Sequence, residues 1–232
     1  MKTIGLLGGM SWESTTSYYQ LINTGVNQAL GGLHSAKIVM YSVDFHEIEQ
    51  FQRQNQWAES AVLLANAAKS IELAGADFVL LCTNTMHKVA AEIEQAISIP
   101  LLHIADATAE CLVKQGISKV GLLGTRFTME QDFYKGRLTE RFGIEVIVPS
   151  APERDLVHSV IYEELCQGRI CESSRAQYIE IINTLHHAGA QAVILGCTEI
   201  GLLVSQKDVE VPLYDTTKIH ATAAVVKAIS AG

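Results

Sequence analysis

Two short segments hold the side chains best suited to moving protons. One is Gly196-Cys197-Thr198-Glu199, which follows the apolar run Ala192-Val193-Ile194-Leu195. A cysteine placed after such a run and a glycine is expected at a strand end rather than inside a core. If the next residues open a helix, their N–H groups would hold a carboxylate and favour a thiolate. An unperturbed thiol ionises at roughly 8.5, so a modest downward shift makes a usable base near neutral pH. A buried cysteine at a tight turn would show the same spacing. The other segment is Cys82-Thr83-Asn84-Thr85-Met86-His87. Its hydroxyl and amide groups supply donors for a carboxylate, and Thr83 or Asn84 would equally serve as a helix N-cap.

The elements that must position these segments alternate between short apolar strands and segments of helical period. Strands are expected at 2–7, 36–43, 77–82, 99–104, 119–123, 144–148, 192–195 and 211–214. Helices are expected at 14–30, 57–74, 85–96, 106–114, 130–142, 155–166, 173–188 and 216–229. Apolar strands separated by helices indicate an α/β fold with a parallel sheet covered on both faces.

The chain also repeats itself. Lys2–Gly8 matches Lys119–Gly124, Gly75–Thr83 matches Gly189–Thr198, and Ile99-Pro100-Leu101 matches Val211-Pro212-Leu213. Three matches in one order, each offset by roughly 115 residues, indicate two halves of one topology. Ligands of open α/β sheets bind at the carboxyl ends of strands. Two such halves facing one cleft would set the Thr83 and Cys197 segments on opposite sides of one carbon, as inversion of a stereocentre requires.

Composition narrows the function classes. Of 232 residues, 48% are hydrophobic and 18% charged, which fits a folded chain. No apolar run reaches the roughly 18 residues of a membrane span, and the opening residues lack a signal-peptide core, so the expectation is a complete, cytoplasmic protein without a membrane partner. The net charge of −8 and scattered Lys and Arg argue against a nucleic-acid partner. The five cysteines include no C-x-x-C pair, so neither a disulfide framework nor a zinc site is expected. G-x-G-x-x-G is absent, and so is a Walker A lysine motif.

The segments Leu80–His87 and Val193–Ile200, with the opening Ile4-Gly5-Leu6-Leu7-Gly8-Gly9-Met10-Ser11, resemble the aspartate/glutamate racemase family over essentially the whole chain. The branch most resembled is the bacterial broad-specificity or L-aspartate/glutamate-specific one. The resemblance implies two similar Rossmann-like half-domains, each a largely parallel sheet flanked by helices, with the active site in the cleft between them. It implies racemisation without pyridoxal phosphate or any other cofactor, a small amino-acid substrate, and commonly a homodimer. It also implies that Met10, Gln52, Thr83, Asn84, Thr85, Cys197, Thr198 and Glu199 line the substrate site. The halves are expected to be 1–98 plus 211–232, and 99–210.

This chain departs from the family pattern twice. The family places a cysteine immediately before Asn84, where this chain has Thr83, with Cys82 one residue earlier. Strand side chains alternate, so Cys82 is expected to point away from the cleft and Thr83 into it. Relatives specialised for acidic substrates can carry a lysine where Cys166 stands. Recognition of a side-chain carboxylate would then fall to Gln52 or Arg53, although Arg53 also reads as a solvated surface charge.

Other polar residues read more plainly. Thr125 ends the strand equivalent to the one before Met10, and its hydroxyl is expected to reach the ligand. His87, four residues past Thr83, could tune the site but is expected on a helix surface, and His103 and Asp106 are expected to cap a helix. Cys111, Cys166 and Cys171 are expected to be structural. The functional expectation is an amino-acid racemase acting on aspartate, glutamate or a broader set, with Thr83 and Cys197 as the proton-transfer groups and the L enantiomer deprotonated more easily. The alternatives are a hydantoin racemase, a maleate isomerase-like enzyme and a non-catalytic amino-acid-binding domain.

Overall fold

The structure, a computed structural model, describes residues 1–230. The chain divides into two compact units, Met1–Ile104 with the segment from His220, and Ala105–Ile219.

In the first unit β1 (Ile4–Gly8) leads through α1 (Trp12–Leu30) to β2 (Ile38–Ser42). Two helices follow, α2 (Phe45–Arg53) and α3 (Trp57–Leu73), and then β3 (Phe78–Leu81). A 3-10 turn over Thr85–Val89 runs into α4 (Ala90–Ala96) and β4 (Leu101–Leu102). The strands form a parallel sheet in the order β2-β1-β3-β4.

The chain goes on through α5 (Ile104–Lys114), β5 (Lys119–Gly124), α6 (Arg126–Glu130), α7 (Asp132–Phe142) and β6 (Glu145–Ile147). Then come α8 (Ala151–Glu163), a 3-10 turn at Leu165–Gln167, α9 (Glu172–His187) and β7 (Ala192–Gly196). The short α10 (Ile200–Leu203), β8 (Leu213–Asp215) and α11 (Thr216–Ile229) close it. The second sheet has the order β6-β5-β7-β8, again all parallel. The two units therefore share one topology.

The repeat extends to hydrogen bonds. Asp77 accepts the Thr3 N–H with its carboxylate, and its own N–H donates to the Thr3 carbonyl. Gln191, at the corresponding place, accepts the Ser118 and Lys119 N–H groups and donates its N–H to the Lys119 carbonyl. One side chain just before the third strand of each unit thus holds the start of the first.

Strand alternation sorts the side chains of the first sheet into two cores. Leu7, Val79 and Leu81 pack with α3 and α4 residues such as Leu64, Ile71 and Ile93. Ile4, Leu6, Phe78, Leu80 and Cys82 pack with Tyr18, Ile22 and Val26 of α1 and with Ala221, Ala224 and Ala228 of α11. In the second unit Leu123, Val193 and Leu195 pack with α8 and α9 residues including Val157, Ile161, Tyr178 and Ile182. Roughly 1.5–3 kcal/mol accompanies each such aliphatic burial.

Several elements differ from the sequence expectation. Helix α2 was not expected. It is capped by Asp44, whose carboxylate accepts the His46 N–H, and it turns the buried Ile48 and Gln52 and the half-buried Phe45 and Phe51 inward. The expected helix 85–96 is half 3-10 turn, and 130–142 is broken at Gln131, whose backbone is extended. The capping box of Ser150 and Glu153 starts α8 four residues before position 155. The unit limits differ as well. β4 pairs with β3 and so lies with the first unit, and β8 pairs with β7 and so lies with the second, whereas limits at 98/99 and 210/211 would exchange them. Among the described residues no helix is long and apolar enough to cross a membrane.

Candidate active site

Each unit ends its two central strands in glycine or a tight turn because another backbone or side chain passes close by. A Cβ on Gly8 would lie 2.4 Å from Thr15, and one on Gly196 would lie 2.8 Å from the Leu123 carbonyl. Beyond these crowded ends lie the candidate residues.

In the first unit the alternation seen in β3 continues past its end. Cys82 is fully buried in the α1/α11 core, where burial pushes its thiol far up. Thr83 keeps partial exposure, while Asn84 and Thr85 are buried. Asn84 makes no side-chain cap bond to the turn that follows. Two peptide carbonyls of this bend are held from behind. The Ser14 hydroxyl donates to the Cys82 carbonyl at 3.1 Å, and His87 Nδ1 lies 2.8 Å from the Thr83 carbonyl. Met10 is buried at the end of β1, in the core of Leu7 and Leu81. Gln52 is buried and donates from Nε2 to the Met86 sulfur at 3.0 Å. Its neighbour Arg53 is 79% exposed and pairs with Glu49, which settles the reading of Arg53 in favour of a surface charge.

His87 corrects the sequence expectation. It is buried, not on a helix surface, because the segment it sits on is a 3-10 turn under the β3 end. Its ring packs at 4.4 Å from that of His103, also buried, and 6.1 Å from that of His220. His220 donates from Nε2 to the Leu102 carbonyl and accepts the Tyr18 hydroxyl at Nδ1. Burial pushes its pKa down to about 4, against a smaller opposing effect of the Leu102 carbonyl, so it is neutral at physiological pH. Asp106 is held by Arg137 through both carboxylate oxygens and by Arg141.

In the second unit Cys197 continues the face of Val193 and Leu195, as Thr83 continues that of Val79 and Leu81. It is partly exposed, and its Sγ donates to Glu199 Oε2 at 3.0 Å. Glu199 is buried and Thr198 partly exposed. The thiol is not poised as a thiolate here. Burial, then the negative charges of Glu199 and Cys166, and then the hydrogen bond to Glu199 push it well above its usual range. The expected counterweight is slight, because α10 has four residues and aligns few peptide dipoles. Cys166, in the 3-10 turn before α9, packs against the same core as Cys197.

Thr125 caps α6. Its Oγ1 accepts the Thr128 N–H at 3.3 Å and lies 3.2 Å from the Thr128 hydroxyl. Behind it the Arg126 N–H donates to His158 Nδ1, and the His158 ring packs on Tyr162. Burial and the nearby Arg126 charge lower the pKa of His158. Sequence reading passed over His158 because it lies in the middle of a helix, 33 residues from Thr125. Among the described residues no group of three or more His, Cys, Asp and Glu is placed to hold a metal.

A family model described as Asp/Glu/Hydantoin racemase matches residues 7–224. A solved structure from Yersinia pestis, described as a candidate Asp/Glu racemase, is 59% identical, with a TM-score of 0.94 over 99% of this chain and 100% of that one. An aspartate racemase homologue from Pyrococcus horikoshii is 35% identical, with a TM-score of 0.85 over the same shares. The broad specificity amino-acid racemase RacX of Bacillus subtilis is 24% identical over 96% of each chain.

Proposed function

The chain belongs to the Asp/Glu/hydantoin racemase family, and from that premise we propose that it racemises aspartate, glutamate or a broader set of amino acids without a cofactor, using Cys197 and Thr83 on opposite faces of the α-carbon. The observation that carries this reading is the Cys197–Glu199 pair. A thiol at a partly exposed strand end donates to a buried carboxylate, in the position that Thr83 occupies in the other unit.

The chemistry follows from those contacts. Glu199 accepts the Cys197 proton, and the resulting thiolate removes the α-proton of the L enantiomer. The α-carbon then carries a negative charge shared with its carboxylate. Asn84, Thr85 and Thr198, with the backbone N–H groups of the two turns, supply donors where that charge develops. Thr83 returns a proton from the other face, water reprotonates the Thr83 oxygen, and Glu199 gives up its proton to the hydroxide so formed, which restores the starting state. Met10 and Gln52 shape the first unit's side of the site, and Thr125 the second's.

The test uses protein dialysed against chelator and free of pyridoxal absorbance. It is incubated in heavy water with L-aspartate, L-glutamate and L-homoserine, followed by mass spectrometry and chiral chromatography. Deuterium at the α-carbon together with the D enantiomer is expected for at least one substrate. Absence of exchange with all three, or activity that returns only with added pyridoxal phosphate or a divalent metal, overturns the reading.

A further inference from the structure

His87 has a hydrogen-bonding pattern that only one protonation state can satisfy. The Thr83 carbonyl, 2.8 Å from Nδ1, can only accept, so Nδ1 carries a hydrogen. The Ile104 N–H, 3.2 Å from Nε2, can only donate, so Nε2 presents a lone pair. The imidazole is therefore neutral, and it bridges two backbone groups 21 residues apart. One belongs to the residue whose hydroxyl is assigned to proton transfer, and the other opens α5. The ring is confined in turn by the tilted His103 ring beside it, 4.4 Å between centroids, and by burial. With Ser14 on the Cys82 carbonyl, the peptide groups on both sides of Thr83 are pinned.

The corresponding position in the second unit is Gly201, which has no side chain to do this. There the Cys197 carbonyl accepts a local bond from the Ile200 N–H at 3.2 Å, and the Thr216 hydroxyl holds the Leu195 carbonyl two residues earlier. The imidazole bridge thus has no counterpart at Gly201. The chemistry accounts for that difference. A thiolate is a strong enough nucleophile and base to tolerate some misplacement. A hydroxyl is a far weaker base, and its contribution depends on being held where the proton is exchanged. A displacement of about 1 Å costs on the order of 100-fold in rate.

We infer that His87 is a positioning residue for the Thr83 half of the reaction: its neutral imidazole, bonded to the Thr83 carbonyl and the Ile104 amide, fixes the bend from which the Thr83 hydroxyl acts. This rests on the racemase reading above. Its signature is one-sided. Loss of the brace slows deprotonation of the D enantiomer and inversion of the L enantiomer. It spares exchange at the L enantiomer, which Cys197 carries out alone.

The experiment measures initial α-deuterium incorporation from L- and D-substrate separately, in wild type, His87→Leu and His87→Gln. His87→Leu should lower the D-side rate about 10- to 100-fold and leave the L-side rate within about twofold. His87→Gln, whose amide can both donate and accept, should recover part of the loss. Nitrogen NMR of the wild type, which needs no substitution, should show His87 as the neutral tautomer protonated at Nδ1. A parallel loss from both enantiomers, no loss at all, or the Nε2-protonated tautomer would overturn the inference while leaving the racemase reading intact. A wild type that exchanges neither enantiomer would instead remove the reading on which the inference stands.

Discussion

The bend after β3 and the bend after β7 have the same place in the same topology, yet they are built for different tasks. At the first, a hydroxyl stands on a backbone pinned by Ser14 and His87, with the nearby Cys82 thiol turned into the core. At the second, a thiol stands beside a buried carboxylate, the Thr216 hydroxyl holds the Leu195 carbonyl two residues earlier, and the Cys197 carbonyl accepts the nearby Ile200 N–H. One side invests in geometry and the other in an acid–base pair. On the proposed reading, equivalent positions in a repeated fold divide a two-step proton transfer unequally, because a weak base gains most from placement and a buried thiol most from a proton acceptor.

The comparison breaks most sharply at Cys197. Cys197→Ala removes the thiol to which proton abstraction from the L enantiomer is assigned, and exchange from that enantiomer should fall by about 1,000-fold or more with an unchanged circular dichroism spectrum. Retention of a tenth of the activity would remove Cys197 from the mechanism. Glu199→Gln comes next. It takes away the acceptor of the thiol proton and also one of the charges that raise the thiol, so the two effects oppose. Burial stands first among the causes of that raise and is untouched, so loss of the acceptor should win, and the L-side rate should fall about 100-fold. The remaining L-side activity should still climb as pH rises, since the working form is the deprotonated thiol. A profile that falls with pH would contradict this.

Thr83→Cys sharpens the comparison from the other side. A thiol placed on the existing brace should raise deuterium incorporation from the D enantiomer about tenfold, read by mass spectrometry, with the L-side rate little changed. The smallest effect belongs to Cys82→Ala. The sulfur lies in the α1/α11 core, so its loss should cost about 1 kcal/mol of stability in denaturant titrations and leave both exchange rates within about twofold. A larger loss of rate than of stability would mean that Cys82 reaches the substrate.

Much of this was readable in the sequence, for physical reasons. Fully buried parallel strands are unbroken apolar runs, and the recurrence of Gly-Leu-Leu-Gly and of the Cys-Thr segments marked the duplicated topology. What failed depended on contacts distant in sequence or on short turns. Helix α2 is nine residues long, and its apolar face of Phe45, Ile48 and Phe51 spans only two turns among polar residues, too short a pattern to stand out as a helix. His87 was taken for a surface residue because a regular helix would have turned it outward, while the 3-10 turn carries it under the strand end toward Ile104. What lies beside the Cys197 thiol was also not legible, because the sequence shows that the next residues can open a helix but not that the helix has four residues or that the Glu199 carboxylate turns back to the sulfur. The resemblance named the residues of the candidate site, and only the fold showed which of them are held and by what.

The inequality of the two bends is tested most directly by initial α-deuterium incorporation in the wild-type protein, measured from L- and D-substrate in separate reactions before either has racemised. The Cys197–Glu199 pair should make exchange from the L enantiomer faster by about tenfold or more, with KM differences satisfying the equilibrium constant of one. Equal, rapid exchange from both enantiomers would show that Thr83 is no weaker a partner than Cys197 and would contradict the division of labour drawn here.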